Sequence, residues 1–235
     1  MLTSTRPTNF LLHSLSDADF TLVKPHLKAV EFPRGAVLYE AGEAIRRVHF
    51  PDSGIISSVV ELASGQAIEI AMIGRDTVAG GMFAMDGKIS LNKGIVQLAG
   101  SGWSVDVDKL RTVADQSPTF ARSLIIHEQI VFAQAQQAAA CNAIHSLEER
   151  MARWLLYVRE LIDGDTLHLT QEFMSQILGV QRSSVSLVAA RLQQRGLIHY
   201  RRGKLAIVRL DSLRKIACEC YDAVKVHRER LLSEG

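Results

Sequence analysis

Residues 170–209 read Thr170-Gln-Glu-Phe-Met-Ser-Gln-Ile-Leu-Gly-Val-Gln-Arg-Ser-Ser-Val-Ser-Leu-Val-Ala-Ala-Arg-Leu-Gln-Gln-Arg-Gly-Leu-Ile-His-Tyr-Arg-Arg-Gly-Lys-Leu-Ala-Ile-Val-Arg209. Thr170 is a helix cap and Glu172 suits the positive end of the helix it opens. Gly179 and Val180 break that helix, and a second is expected from Gln181 to Arg195. In the second helix Val185, Val188, Ala189 and Leu192 recur at i, i+3, i+4 and i+7, a face that packs on the first helix. Its opening turns hold Gln181, Arg182, Ser183, Ser184 and Ser186. These are donors and acceptors, placed where a recognition helix meets base edges. Beyond it, Tyr200-Arg-Arg-Gly-Lys204 lies between two apolar runs and reads as a hairpin. Gly203 permits its turn, and the cations Arg201, Arg202 and Lys204 suit phosphates rather than bases.

Charge concentrates on the same stretch. The net charge is +2 over 235 residues. Residues 1–145 hold 12 Lys and Arg against 14 Asp and Glu, whereas residues 146–235 hold 15 against 11. Between 170 and 210, seven cations (Arg182, Arg191, Arg195, Arg201, Arg202, Lys204, Arg209) face one acid, Glu172. An exposed helix face ordinarily mixes both signs, so this excess is the footprint of a phosphate-facing surface.

A hydrophobic fraction of 47% excludes a disordered chain. No apolar run reaches about 18 residues, so no membrane span is expected. The opening Met1-Leu-Thr-Ser-Thr-Arg-Pro7 lacks a signal-peptide layout. Three cysteines, an odd number, fit a reducing cytoplasm better than a disulfide framework.

Upstream the pattern changes twice. Residues 9–27 suggest one or two short helices, with Ser16 capping one of them. From about residue 30 to 110, short apolar runs alternate with Gly, Pro and Asp. The runs are Ala36-Val-Leu-Tyr39, Val48-His-Phe50, Ile55-Ile-Ser-Ser-Val-Val60, Ala67-Ile-Glu-Ile-Ala-Met-Ile73, Gly94-Ile-Val-Gln-Leu98 and Gly102-Trp-Ser-Val-Asp-Val107. Such strands describe a small antiparallel roll, with turns such as Asp86-Gly87 between them. Residues 119–143 hold no Gly or Pro and predict one helix of about 37 Å. Leu124, His127, Val131, Gln134, Ala138 and Cys141 follow a 3–4 spacing that suits a seam with a second copy. Ile126, Ile130, Ala133, Gln137, Ala140 and Ile144 make another stripe, which would then cover the roll. The alternative is a helix buried within one subunit. Ser146-Leu-Glu-Glu149 is a capping box that starts a new helix at the boundary between domains, and Asp163-Gly-Asp165 ends it. The expected fold is α+β. A roll spans 1–117, a dimerisation helix 118–145, a winged helix-turn-helix 146–212 and a tail helix 213–235.

In this order the chain resembles the Crp/Fnr-type bacterial transcription regulators over nearly its whole length. The likeness is strongest from Leu169 to Ile198, which holds the Leu169-Thr170 start, the first helix, the Leu178-Gly-Val180 turn, the recognition helix and the Gly196-Leu-Ile198 exit. The resemblance implies a homodimer on near-palindromic double-stranded DNA, with RNA polymerase as a further partner. By position it implies base contacts from Gln181, Arg182, Ser183 and Ser186. Phosphate contacts fall to Thr170, Ser184, Arg201, Arg202 and Lys204. Ser183 stands where many members have Glu, and Leu187 where some have Arg, so their target sequence does not carry over. Gln181 replaces the usual Ser or Thr cap. Members that bind cyclic AMP hold it with a Gly-Glu and an Arg-Ser pair. Here the pairs are missing, and Gly80, Gly81 and Met82, then Asn92 and Lys93, stand in those regions as the residues of a candidate effector pocket. No cofactor is expected, and the effector is open.

Metal and redox patterns are sparse. No cysteine precedes Cys141, so the amino-terminal cluster of iron–sulfur members is absent. Cys141 and His145 are one helical turn apart and could contribute ligands from two copies at a dimer axis. Cys218 and Cys220 fall in the tail helix, on different faces. A packed Cys and a surface His are the plainer reading, and no metal site is expected. The competing function class is a ligand-binding or protein-interaction module whose winged helix contacts protein. Phosphate loops, paired zinc-hydrolase histidines and nucleophile elbows are absent, so no enzyme is expected.

Overall fold

The computed structural model describes residues 6–85, 89–162 and 164–233. The Asp86-Gly87 turn, Asp163 of the expected helix stop and residues 1–5 of the opening lie outside them. Two short helices, α1 (Phe10–Ser14) and α2 (Asp17–Val23), begin the described chain. Asn9 and Ser16 cap them, each accepting a backbone N–H of the first turn. The buried Asn9 amide also donates to the carbonyls of Pro51 and Thr77, both at 2.9 Å, which ties α1 to the roll.

The roll has strands β1 (Lys28–Phe32), β2 (Val37–Tyr39), β3 (Arg47–Pro51), β4 (Ile55–Glu61), β5 (Ala67–Ile73), β6 (Lys93–Leu98) and β7 (Gly100–Asp106). They form two antiparallel sheets, ordered β1-β7-β3 and β2-β6-β4-β5. Phe32, Val48, Phe50, Ile56, Ile73, Val96 and Val105 point between the sheets and make the core with Leu11 and Leu12. Six of these strands fall on the expected apolar runs. β1 does not; it buries only Phe32, while Lys28, Ala29 and Glu31 are exposed. A helix absent from the sequence reading, α3 (Val107–Gln116), follows β7 and buries Val107, Leu110, Val113 and Ala114.

Next come α4 (Pro118–Ile144) and α5 (Leu147–Leu161). The capping box forms: Ser146 accepts the Glu149 N–H, and the Glu149 carboxylate accepts the Ser146 N–H at 2.8 Å. β8 (Thr166–His168), α6 (Gln171–Leu178), α7 (Arg182–Gln194), β9 (Ile198–Arg201) and β10 (Lys204–Ile207) complete a winged helix with sheet order β8-β10-β9. Its core continues into the roll. Ile55, Val59 and Met72 pack in one cluster with Trp154, Leu155 and Val158 of α5 and with Val185 and Leu192 of α7. Among the described residues no helix is long and apolar enough to cross a membrane.

Two expectations need correction. The stripe Leu124, His127, Val131, Gln134, Ala138 and Cys141 is not an open seam. All but the partly buried Val131 are buried within the single chain. His127 Nδ1 lies 3.2 Å from the Thr77 hydroxyl. The Gln134 amide bonds both the N–H and the C=O of Met72, at 3.0 and 3.1 Å. β5 is an edge strand, so its outward backbone groups need partners, and α4 supplies them. Secondly, the tail is not one helix. It breaks into α8 (Leu210–Arg214) and α9 (Cys220–Ser233). Ile216 and Ala217 pack into the winged-helix core, while Tyr221 and Val224 are buried where α9 lies on α4 and α5. A straight helix could not reach both surfaces.

Candidate nucleic-acid interface and the interior of the roll

The helix-turn-helix is built locally. The Thr170 hydroxyl accepts the Phe173 N–H at 3.1 Å and opens α6. Gly179, at φ 64° and ψ 38°, closes it in the left-handed conformation that Gly adopts without strain. α7 then buries Val185, Val188, Ala189 and Leu192. That packing turns Gln181, Arg182 and Ser183 to solvent at its first turn. Gln181 makes no side-chain capping bond, so the first amides of α7 are left for an outside acceptor. Ser184 is half-buried. The Ser186 hydroxyl donates to the Gln171 side chain at 2.6 Å and lies 3.0 Å from the Arg182 carbonyl. It therefore braces α7 against α6. The start of α7 also borders a cleft lined by Glu61, Gly65, Gln66 and Ala67 of the β4–β5 hairpin.

β9 and β10 pair with Arg201 opposite Lys204, leaving Arg202 and Gly203 as a two-residue turn. Both have positive φ, 50° and 75°, the signature of a turn whose twist matches the strands. Arg201, Arg202 and Lys204 are all exposed. The Tyr200 hydroxyl donates to the Leu169 carbonyl at 3.0 Å and anchors the hairpin at its base.

In the roll, Gly80 precedes a 3-10 segment, Gly81–Met85, that Gly81 and Met82 open; both glycines are buried and Met82 is exposed. The amides of Gly81 and Met82 are taken by the chain itself. Glu128 of α4 accepts the Met82 N–H at 2.9 Å and also the Gly81 N–H. A Cβ on Gly81 would stand 2.9 Å from that carboxylate, so the Glu128 side chain would have to shift to admit one. Burial pushes the Glu128 carboxyl up to about 7, against the pull of those amides. Lys93 turns its ammonium to Glu40 at 3.3 Å and Glu61 at 3.0 Å. Asn92 is held through its backbone by Ser90. The residues expected as an effector pocket thus do not converge. A group bound at the Gly81 and Met82 amides would have to displace Glu128, and Lys93 is already paired with two carboxylates.

The cysteines depart furthest from expectation. Cys218 precedes α9 and Cys220 begins it, and both sulfurs face Cys141 and His145 rather than different sides. Sequence spacing could not reveal this, because the break in the tail has no Gly or Pro to mark it.

A family model for the Crp-like helix-turn-helix domain matches residues 149–216. No curated protein sequence matches the chain. Among solved structures, FixK2 from Bradyrhizobium japonicum superposes with a TM-score of 0.71 at 17% identity, covering 82% of this chain and 98% of that one. The c-di-GMP-responsive global regulator CLP from Xanthomonas campestris gives 0.67 at 15% identity, covering 82% and 99%. A CRP-family transcriptional regulator from Thermus thermophilus gives 0.65 at 22% identity, covering 80% and 96%. At these identities the likeness is one of fold. Residues 149–216 form a Crp-like helix-turn-helix domain, and the chain as a whole has the fold of the Crp/Fnr-type regulators.

Proposed function

We propose that the chain is a sequence-specific, homodimeric transcription regulator that reads double-stranded DNA with the first turn of α7. The observation that carries this is the exposed, uncapped row Gln181, Arg182 and Ser183, beside a wing that presents Arg201, Arg202 and Lys204. The Arg182 fork suits guanine O6 and N7, and the wing cations suit phosphates. Ser184 and the Thr170 hydroxyl flank them as phosphate contacts. Ser186, tied to Gln171, acts by holding α7 in place.

Dimerisation is assigned to a face of α4 other than the buried stripe. Ile125, Gln129, Phe132, Gln136, Ala139 and Ala143 are all exposed and alternate in steps of 4 and 3 residues. That is the spacing of a coiled-coil seam, and the alanines permit close approach. A second copy there gives the twofold symmetry that a near-palindromic site requires. Bound beside a promoter, such a dimer would have RNA polymerase as its neighbour. The name of CLP carries a cyclic dinucleotide, but here Glu128 at the Gly81 and Met82 amides argues against an anionic phosphate in that position.

Binding-site selection with the purified chain at stated salt is expected to enrich a near-palindrome. Arg182→Ala is expected to cost about 1–3 kcal/mol on that site and much less on random DNA. No enriched near-palindrome would instead favour a winged helix that contacts protein.

A further inference from the structure

All three cysteines of the chain meet in one place. Cys141 Sγ is 3.5 Å from Cys218 Sγ, and Cys220 Sγ is 3.6 Å from His145 Nδ1. Those four ligand atoms lie within 4.8 Å of one another. We infer that Cys141, His145, Cys218 and Cys220 form a tetrahedral site for a single soft divalent metal ion, zinc by its donor set, at the joint between α4 and the winged helix.

The distances fit one ion. Zinc at about 2.3 Å from sulfur and about 2.0 Å from nitrogen holds its ligands roughly 3.8 Å (S to S) and 3.5 Å (S to N) apart in a tetrahedron. A disulfide would use two of the four groups at about 2 Å and leave the imidazole unexplained. An iron–sulfur cluster spreads four protein ligands over at least two irons, which sets those on different irons further apart than this. Three thiolates with one imidazole is a closed set, the kind that holds a structural ion rather than one with a position left for substrate.

The surroundings complete the chemistry. His145 Nε2 faces Glu219 Oε2 at 3.2 Å, which keeps the proton on Nε2 and leaves the Nδ1 lone pair for the metal. The Gln137 amide donates to Cys220 Sγ at 3.0 Å. Three thiolates around a divalent ion carry a net negative charge, and the guanidiniums of Arg150 and Arg153 stand close enough to act on the Cys141 sulfur. Loading the site releases the thiol protons to solvent as the metal–sulfur bonds form. Cys141 and His145 end the helix that leads into the winged helix, while Cys218 and Cys220 lie on the segment that leaves it. One ion would therefore clip together the entry and exit of the DNA-binding unit.

The test is metal content and cobalt spectroscopy on the full chain, purified reduced and without chelator. About one zinc per chain is expected. Cobalt(II) added to the stripped protein is expected to give the intense visible bands of a tetrahedral thiolate complex, which zinc then displaces. His145→Asn, at a partly exposed position, and Cys220→Ser are each expected to weaken cobalt binding at least tenfold. Circular dichroism on His145→Asn separates a lost ligand from a lost fold. The weak spectrum of octahedral cobalt, an unchanged affinity in a folded His145→Asn chain, or a Cys141–Cys218 disulfide with no metal would each overturn the assignment. None of these readouts depends on whether the chain binds DNA.

Discussion

Arg202 shows how one residue serves stability and binding in opposite directions. It holds φ 50° at the tip of the wing, the only positive φ among the described residues other than glycine. A side chain there costs roughly 1 kcal/mol against glycine. Replacing Arg202 by Gly is therefore expected to leave thermal stability equal or raise it by about 0.5–1 kcal/mol. The same change removes a phosphate cation, so binding should weaken alike on every DNA sequence, with a shallower salt slope. Melting curves and salt titrations of one preparation read both effects. A large loss of stability would contradict the turn geometry, and an unchanged salt slope would remove Arg202 from the interface. Much of this was legible beforehand, because Tyr-Arg-Arg-Gly-Lys between apolar runs specifies a hairpin by its turn chemistry alone.

At the scale of elements, α4 separates what periodicity reveals from what it hides. Its apolar residues occur on nearly every side, so more than one stripe satisfies a helical spacing. The buried stripe was settled by Met72 and Thr77, whose polar groups needed Gln134 and His127. The exposed stripe was hard to see because Gln129 and Gln136 interrupt it. The two faces call for opposite experiments. Phe132→Asp, at a side chain 63% exposed in one chain, is expected to convert a dimer to monomer in sedimentation while the monomer stays folded. Leu124→Ala, fully buried against the roll, is expected to cost about 2–5 kcal/mol of folding stability. If Phe132→Asp sediments as wild type, the proposed seam is wrong. Failure of prediction elsewhere had other causes. α3 carries a readable pattern in Val107, Leu110, Val113 and Ala114, although it begins inside a run that also reads as strand. β1 is short, and Glu31 interrupts its apolar Ala29, Val30 and Phe32.

Across the whole molecule, the two halves are joined by more than a linker. Glu69 on β5 accepts the Ser57 hydroxyl at 2.5 Å and the indole N–H of Trp154 on α5 at 2.8 Å. Asp76 likewise joins Tyr157 of α5, at 3.1 Å, to Arg228 of α9, at 3.0 Å. Burial pushes the Glu69 carboxyl from 4.5 up to about 7, although its hydrogen bonds and Arg153 pull the other way. The folded chain thus binds this proton more tightly than the unfolded chain does. The resulting stability is fully present below about pH 4.5 and is lost as pH rises through about 7. Glu69→Gln removes that loss. The stability of the variant relative to wild type should therefore climb between those pH values, by up to about 3 kcal/mol, and level off above them. Burial lowers His49 and His127 to about 4. Their effect has the opposite sign and cancels in the comparison of variant with wild type. Urea unfolding at a series of pH values reads the difference, and a constant offset would show that Glu69 titrates normally.

By itself the sequence determined the parts whose cause is local. A capping Thr, a left-handed Gly and a 3–4 apolar spacing specify α6 and α7. Ser146 with Glu149 specifies the start of α5, and Arg202-Gly203 specifies the wing. These rest on interactions within about four residues, so a linear reading contains both partners. Tertiary structure decided which stripe of α4 faces inward, that Glu128 takes the amides of Gly81 and Met82, and that the tail breaks after Arg214. It also brought Cys141 and His145 to Cys218 and Cys220. Each of these depends on groups tens of residues apart competing for the same buried space, and no pattern along the chain records who wins.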